Sequence, residues 1–192
     1  VFDDINERAT SGKRIPGLTT GLRDIDRRIM GLNNSDLIIV ASRPGMGKTS
    51  FALNVALHVA KFSGKTVAIF SLEMSREQLV TRLLSRAALI PSQNLLTGQL
   101  TDQQWRDVSD AAQALSATDI RIDDNPTLTV SDMNAQCRRV PDLGLVIIDE
   151  EHEHTFRSEH DPRYHARDIA KFRCAHHNAL LLLSSATPSV ES

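Results

Sequence analysis

The chain has 192 residues, of which 41% are hydrophobic and 24% are charged, and its formal net charge is −2. This length and composition are typical of one globular domain and exclude a disordered chain, a collagen-like repeat and a disulfide scaffold. This net charge excludes a surface that is basic throughout and binds nucleic acid, although a local basic patch remains possible. The two cysteines, Cys137 and Cys174, lie far apart in the sequence and suit a reducing cytoplasm, the expected location. The longest apolar run, 179–183, is too short to span a bilayer.

The start of the chain is polar, and residues 1–16 are expected to be the remnant of a linker. Because the first residue is Val1 rather than Met, we expect the chain to have been cut from a longer protein. Residues 17–192 are then expected to form a single domain. Short apolar runs alternate there with segments of helical periodicity. We predict strands at 37–41, 67–72, 120–122, 145–148 and 180–183, and helices at 49–62, 74–88, 101–115, 130–139 and 163–176.

Capping residues support the prediction of two of these helices. Ser75 is followed three residues later by Gln78, and Thr101 is followed by Gln104, which are the two halves of a capping box. The strand at 37–41 is a continuous β-branched run, as expected for a strand that is buried on both faces. Strands that alternate with helices indicate an α/β fold, a mostly parallel sheet with helices on both faces.

The most specific motif is the glycine-containing turn between the first strand and the first long helix. Backbone amides at a helix N-terminus hold phosphate, and Gly45 and Gly47 allow the backbone to approach a ligand. In a P-loop, Lys48 reaches the β- and γ-phosphates and the Thr49 hydroxyl binds Mg²⁺. The strict motif has glycine at position 42, where this chain has serine, so a chance glycine turn is the disfavoured alternative. The expected ATP-binding residues are Ser42, Arg43, Pro44, Gly45, Met46, Gly47, Lys48, Thr49 and Ser50.

Carboxylates follow two of the predicted strands. Glu73 follows the second strand, which we expect to lie beside the P-loop, and it is a candidate for the base that activates water. The alternative is that Glu73 is only an acid at a helix start. Asp149 follows the strand at 145–148 and is expected to hold Mg²⁺ through water, together with Thr49. Glu150 is the second candidate for the base, so the expected catalytic residues are Glu73, Glu150 and Lys48.

Residues from about 15 to 149 resemble the motor domain of the replicative DNA helicase DnaB family, a RecA-like P-loop ATPase. The segments that carry this resemblance are 21–26, 31–32, 41–49, 70–75 and 137–139. The family tolerates a residue other than glycine at the first loop position. In that family the glutamate that matches Glu73 activates water. The resemblance implies a motor-domain fragment that binds ATP and Mg²⁺, with single-stranded DNA as the partner of the intact protein.

The last part of the chain, about 141–192, resembles a different family, that of the primosomal helicase PriA. Residues 141–152 are similar to the DEEH box of superfamily 2 helicases, and residues 185–192 are similar to their Ser-Ala-Thr motif. Residues 162–168 also match the PriA pattern. We therefore expect a hybrid chain, joined at or near the shared strand at 143–149. The alternatives to a replicative helicase fragment are a fragment of a PriA-like replication-restart helicase and a nucleotide-binding module without helicase activity.

Other clusters in the last third of the chain carry weaker hypotheses. A zinc site drawn from His152, His154, His160 and His165 is disfavoured, because the PriA resemblance already accounts for His152 and His165. A basic helical face could contact DNA phosphate, but a solvated face is the favoured interpretation. The residues of that face are Arg163, Arg167, Lys171 and Arg173.

Trp105 is expected to lie in the core or at a subunit contact.

The resemblance also implies what the site needs for turnover. RecA-like motors are completed by an arginine from a neighbouring subunit, and such an arginine is worth about 10³ to 10⁵ in rate. We therefore expect very slow ATP hydrolysis by an isolated monomer. The DnaB family forms hexamers through the linker that precedes the motor. Since only 1–16 represents that linker here, a hexamer of this chain is doubtful.

Overall fold

The computed structural model describes residues 15–33, 36–43, 45–149 and 180–185, the last segment as backbone only, with the side chain of Val130 also left out. Within this part of the chain, five strands form one parallel sheet in the order β1-β5-β4-β2-β3. The strands are β1 (Leu37–Ala41), β2 (Thr66–Ser71), β3 (Ile120–Asp123), β4 (Leu143–Asp149) and β5 (Leu180–Ser185). Because all five are parallel, their carboxyl ends meet at one edge of the sheet.

Six helices are described. They are α1 (Arg23–Ile29), α2 (Lys48–Ser63), α3 (Arg76–Ala88), α4 (Ser92–Thr97), α5 (Asp102–Ser116) and α6 (Val130–Arg139). Capping boxes close the N-termini of α3, α5 and α6, each built from a serine or threonine and the residue three positions later. The predicted caps Ser75 and Thr101 are therefore confirmed, and α3 begins two residues later than predicted. None of the described helices is long and apolar enough to cross a membrane.

Successive side chains of β2 and β4 point to opposite faces of the sheet and join two apolar clusters, one on each face. Val67 and Ile69 join the cluster that includes Val55 and Val59 of α2, while Ala68 and Phe70 join the cluster that includes Met133 of α6. Both strands are therefore buried on both faces, as their continuous apolar sequences indicate. The α/β fold with a parallel sheet covered on both faces is confirmed.

The loop that carries α1 is tied to α2. Leu18 and Leu32 exchange backbone hydrogen bonds of 2.7 Å, and the Thr19 hydroxyl lies 2.8 Å from His58 Nε2. A Cβ on Gly21, whose φ is +84°, would lie 2.7 Å from the His58 ring, so the close approach and the positive φ both favour glycine. Burial lowers the pKa of His58 below its ordinary value, and the nearby Asp26 carboxylate opposes this shift.

Three features differ from the sequence predictions. Helices α1 and α4 were not predicted, because at seven and six residues they are too short to show helical periodicity. Strand β1 was predicted to be buried on both faces, and this is wrong: it is half-buried, since it pairs only with β5 and forms one edge of the described sheet. A core position for Trp105 is also wrong, because 55% of this residue is exposed.

Candidate functional site

The segment between β1 and α2 has the backbone conformation that its glycines allow. Gly45 and Gly47 have φ values of +77° and +87°, in the left-handed region that side chains disfavour. A Cβ built on either residue would meet no described atom within 4 Å. The glycines are thus required by their backbone conformation, and the space above them is open to a ligand.

The N-terminus of α2 has no capping side chain and no acidic residue in its own first turn. Its N-cap is Gly47. The loop closes on itself through the Met46 amide, which donates to the Arg43 carbonyl at 3.2 Å. Because the helix dipole concentrates positive charge at this end, the site favours an anion.

Asp149, the last residue of β4, connects the sheet to this helix. The Thr49 hydroxyl donates to Asp149 Oδ2 at 3.0 Å, and Lys48 Nζ lies 3.8 Å from Asp149 Oδ1. The side chains of Lys48 and Asp149 are 9% and 3% exposed. The structure therefore brings together three residues that the sequence assigned to one site, from positions 100 apart in the chain.

One oxygen of this carboxylate has no hydrogen bond. Over the part of the chain that the structure describes, Asp149 Oδ1 is the buried side-chain oxygen or nitrogen atom without such a partner. A buried polar atom in this state costs free energy unless a ligand or an ion satisfies it. Carboxylate and hydroxyl oxygens are the hard donors that Mg²⁺ prefers, and this ion normally takes only one or two protein carboxylates alongside phosphates and water. Thr49 and Asp149 therefore fit a magnesium ion that is bound together with a phosphate ligand.

The pairing register brings polar residues to the same edge of the sheet. Asp149 lies opposite Ser71 of β2 and opposite Ser184 of β5. Glu73 is exposed and lies two residues beyond the end of β2. Strands β5 and β4 separate β2 from β1. Glu73 therefore follows the strand that neighbours the one carrying Asp149.

Ser71 is a residue that the sequence analysis missed. It is 1% exposed, its hydroxyl donates to the Met74 carbonyl at 3.1 Å, and it accepts from the Met74 amide at 3.2 Å. These bonds fix the turn that presents Glu73. A serine that ends an apolar strand just before a helix cap is the signal that predicts such a turn.

The other predicted site residues divide into two groups. Ser42 is half-buried, while Arg43, Met46 and Ser50 are exposed around the loop. The rest of the predicted positions lie outside the described residues: Pro44, Glu150, the four histidines of the disfavoured zinc site and the four basic residues of the 163–173 face. In the described part of the chain, no group of three or more His, Cys, Asp or Glu side chains is placed to hold a metal ion.

Comparisons with known proteins agree with this geometry. The family described as DnaB-like helicase C terminal domain matches residues 17–169. The chain is 46% identical over 152 residues to the replicative DNA helicase DnaB of Geobacillus stearothermophilus, and the match covers 78% of this chain and 34% of that protein. The chain thus spans about a third of the length of this relative.

Two solved structures share the fold. One is a DnaB-like replicative helicase described with its interactions with primase, with a TM-score of 0.82 and 21% identity, covering 96% of this chain and 46% of that one. The other is described as an ATPase domain, with a TM-score of 0.82 and 22% identity, covering 96% of this chain and 69% of that one. The expected RecA-like fold is therefore confirmed. From the extent of the family match and the identity to its relatives, this chain belongs to the DnaB-like helicase C-terminal domain family.

Proposed function

We propose that this chain is the ATP-binding motor part of a replicative DNA helicase, and that the site between β1, α2 and β4 binds Mg·ATP. The observation that carries the proposal is the buried Asp149 carboxylate, which accepts from Thr49 while its second oxygen has no hydrogen bond. An uncapped helix N-terminus lies in the same site. A site of this kind binds a phosphate group together with a hard cation.

Each of the central residues has a distinct role in this proposal. Lys48 neutralises phosphate charge, and its ion pair with Asp149 holds the ammonium group in the site. Thr49 would bind the metal directly, and Asp149 would hold it through water. When bound, Mg²⁺ neutralises charge that develops on the phosphates. Loop residues 42–50 would surround the phosphates with backbone amides.

The base that activates water has two candidates. Glu73 lies at the carboxyl-end edge of the sheet, next to the strand of Asp149. Glu150 follows Asp149 in the sequence. We propose Glu73, because the Ser71 bonds to Met74 fix the turn that contains it. Glu73→Gln should then remove turnover while ATP binding is kept, with Glu77→Gln, on the exposed first turn of α3, as the matched control. Loss of turnover in Glu150→Gln alone would assign the base to Glu150.

Steady-state hydrolysis tests the proposed activity. Mg·ATP turnover by the purified chain is measured with and without single-stranded DNA, beside Lys48→Ala and the control Lys61→Ala, which changes an exposed lysine at the far end of the same helix. We expect slow turnover that requires Lys48 but not Lys61 and that rises with DNA. Turnover equal in the Lys48→Ala variant would contradict the proposal.

We further propose that an arginine from another subunit completes the site, as phosphoryl-transfer motors require. Hydrolysis by the monomer should therefore be about 10³ to 10⁵ below that of an assembled motor. A monomer that hydrolyses several ATP molecules per second would exclude this dependence. Single-stranded DNA and a homo-oligomer are the partners that the proposal implies for the intact protein.

A second candidate concerns the PriA-like motifs at 141–152 and 185–192. The observation that favours it is the register of β5, which lies between β1 and β4 and places Ser184 opposite both Val40 and Asp149. Residues 186 and 187 of the Ser-Ala-Thr motif lie outside the described residues. Against a junction near 149, the DnaB-like family match runs to residue 169. A replication-restart motor of this kind predicts that Glu150→Gln, and not Glu73→Gln, abolishes turnover.

The remaining alternative is a module that binds nucleotide without performing work. Tight ATP binding without turnover or unwinding would favour it. The same hydrolysis assay, combined with a binding measurement, separates it from the motor proposal.

A further inference from the structure

A separate cleft lies at the β3 edge of the sheet, the edge farthest from β1, where α6 packs against β2 and β3. It has a volume of about 300 Å³, which is room for roughly ten waters at ~30 Å³ each and is the lower limit for small-ligand pockets. Its floor is apolar and includes Ala68, Phe70 and Ile122. The cleft contains none of the residues of the nucleotide site.

Three arginines from three different elements line this cleft. Arg76 is the first residue of α3, Arg121 lies in β3, and Arg139 is the last residue of α6. Guanidinium groups present a planar fork of donors that matches phosphate oxygens in pairs. An apolar floor excludes water from one side, and this strengthens the attraction between such groups and an anion.

Two of the three arginines are paired with acidic residues. Arg121 donates to Asp119 at 3.0 and 3.1 Å, and both side chains are 47% exposed. Arg76 Nη2 lies 3.6 Å from Asp124 Oδ1, with the arginine 60% exposed. Ion pairs this exposed contribute little free energy, although Asp124 also accepts from the Arg76 amide at 2.7 Å and stays beside that arginine. Arg139 has no ion pair or side-chain hydrogen bond to any described residue.

One carboxylate also lines the cleft, and its oxygens are occupied. Asp123 Oδ1 accepts from the Asn125 amide at 3.0 Å, and Asp123 Oδ2 accepts from Gln136 Nε2. Both bonds hold the turn after β3 and the facing side of α6. Both donors are neutral, so Asp123 keeps its negative charge, and Arg139 is the arginine whose positive charge a ligand would meet without displacing a described carboxylate.

We propose that this cleft is a second binding site, for a small phosphate-class oxyanion such as pyrophosphate or the phosphate group of a mononucleotide. Arg139 is the anchoring cation, and Arg76 and Arg121 contribute the two further guanidinium groups of the lining. The site is independent of the proposed ATP site, since it shares none of its residues. Arg76 begins the helix whose cap, Ser75, lies two residues after Glu73. An occupant of the cleft would therefore contact the element that follows the Glu73 turn.

A titration followed by backbone amide NMR tests this site directly. Pyrophosphate is added to the ¹⁵N-labelled chain and, in parallel, to Lys48→Ala, which weakens the P-loop as a competing anion site. We expect saturable shifts at the amides of Ile122, Gln136 and Arg139 in both proteins. Shifts confined to residues 45–51 would overturn the proposal.

Two matched variants test whether pyrophosphate binding depends on the arginines that line the cleft. Arg139→Gln should weaken pyrophosphate binding at least tenfold as read from the cleft amides, whereas Arg138→Gln, which changes a neighbour that does not line the cleft, should leave it unchanged. An equal loss in both variants would mean general attraction to a basic surface and would refute a built site. Unaltered binding in Arg139→Gln would refute it as well.

Further arms of the titration identify the source of the phosphate. AMP replaces pyrophosphate in one arm, and tighter binding of AMP would indicate a nucleotide whose base contacts the apolar floor. Tighter binding of pyrophosphate would indicate a free oxyanion. If only single-stranded DNA oligonucleotides, and neither small ligand, shift the cleft amides, the small-anion proposal is wrong and the surface is a nucleic-acid contact.

Discussion

The hydrogen bond from Thr49 to Asp149 gives a prediction that needs no nucleotide. Thr49→Val keeps the shape of the side chain but removes the hydroxyl that donates to Asp149 Oδ2 at 3.0 Å. Both oxygens of a carboxylate that is 2% exposed would then have no hydrogen bond. We expect the free energy of unfolding to fall, since a buried group that loses its partner bears the cost of its desolvation.

The ion pair with Lys48 limits how far the free energy of unfolding can fall. At 3.8 Å and an effective dielectric constant of ~20, the Lys48–Asp149 attraction is about 4 kcal/mol before desolvation. This attraction persists in Thr49→Val, so the cost should stay below the ~3–5 kcal/mol of a broken buried ion pair. It should instead be about 2 kcal/mol, as for a hydrogen bond to a charged group. That is about 4–8 °C in Tm for a chain of this size.

Thermal and urea unfolding of the nucleotide-free chain measure this change. Thr49→Ser is the matched control, because it keeps the hydroxyl and loses only a methyl group. We expect Thr49→Ser to lie within ~1 kcal/mol of the unaltered chain. Equal stability of the valine and serine variants would refute the reasoning, because the hydroxyl would then make no bond to Asp149 in the free protein.

Three further predictions concern other parts of the structure. Gly47→Ala and Gly98→Ala place alanine at φ values of +87° and +69° in open space, so calorimetric unfolding should show a loss of about 1–2 kcal/mol for each, whereas ATP titration should show weaker binding only for Gly47→Ala. Ser75→Ala removes the acceptor for the Gln78 amide and should cost about 1 kcal/mol in urea unfolding, and an unchanged midpoint would contradict the cap. Burial raises the pKa of the Cys137 thiol to about 11 from 9.0, so its contribution to stability is full below pH 9 and is lost as the pH rises towards 11. The stability difference between the unaltered chain and Cys137→Ala should therefore shift in favour of the variant over this range, and a difference independent of pH would contradict the shift.

Local sequence signals were sufficient for the elements around the site. The glycine turn before α2, the caps Ser75 and Thr101 and the helix at 130–139 all depend on residues within a few positions of one another, and the structure has each of them. Asp149 could be assigned to the same site as Thr49 because a carboxylate after an apolar strand has a known role beside a P-loop. The contact itself joins residues 100 positions apart.

Strand order and exposure could not be predicted in the same way. They depend on pairing between distant segments, and no local pattern indicated that β5 and β4 separate β2 from β1. The half-buried state of β1 follows from the same order, because within the described sheet β1 pairs with β5 alone. Trp105 lies on a helix whose sequence shows which face is apolar but not which neighbours cover it, and 55% of it is exposed. The short helix α1 is held by contacts that periodicity does not reveal, here two hydrogen bonds from Thr20 to the buried Asp26.

The most direct test of the nucleotide site is calorimetric titration with ATP, with and without Mg²⁺, of the unaltered chain, Lys48→Ala and Asp149→Asn. We expect Mg²⁺ to tighten ATP binding by the unaltered chain, and Lys48→Ala to bind much more weakly under both conditions. Asp149→Asn should lose about 10–100-fold in the apparent affinity for Mg²⁺ while it still binds ATP without the metal. ATP binding that is the same in all three proteins would contradict a site built from Lys48, Thr49 and Asp149.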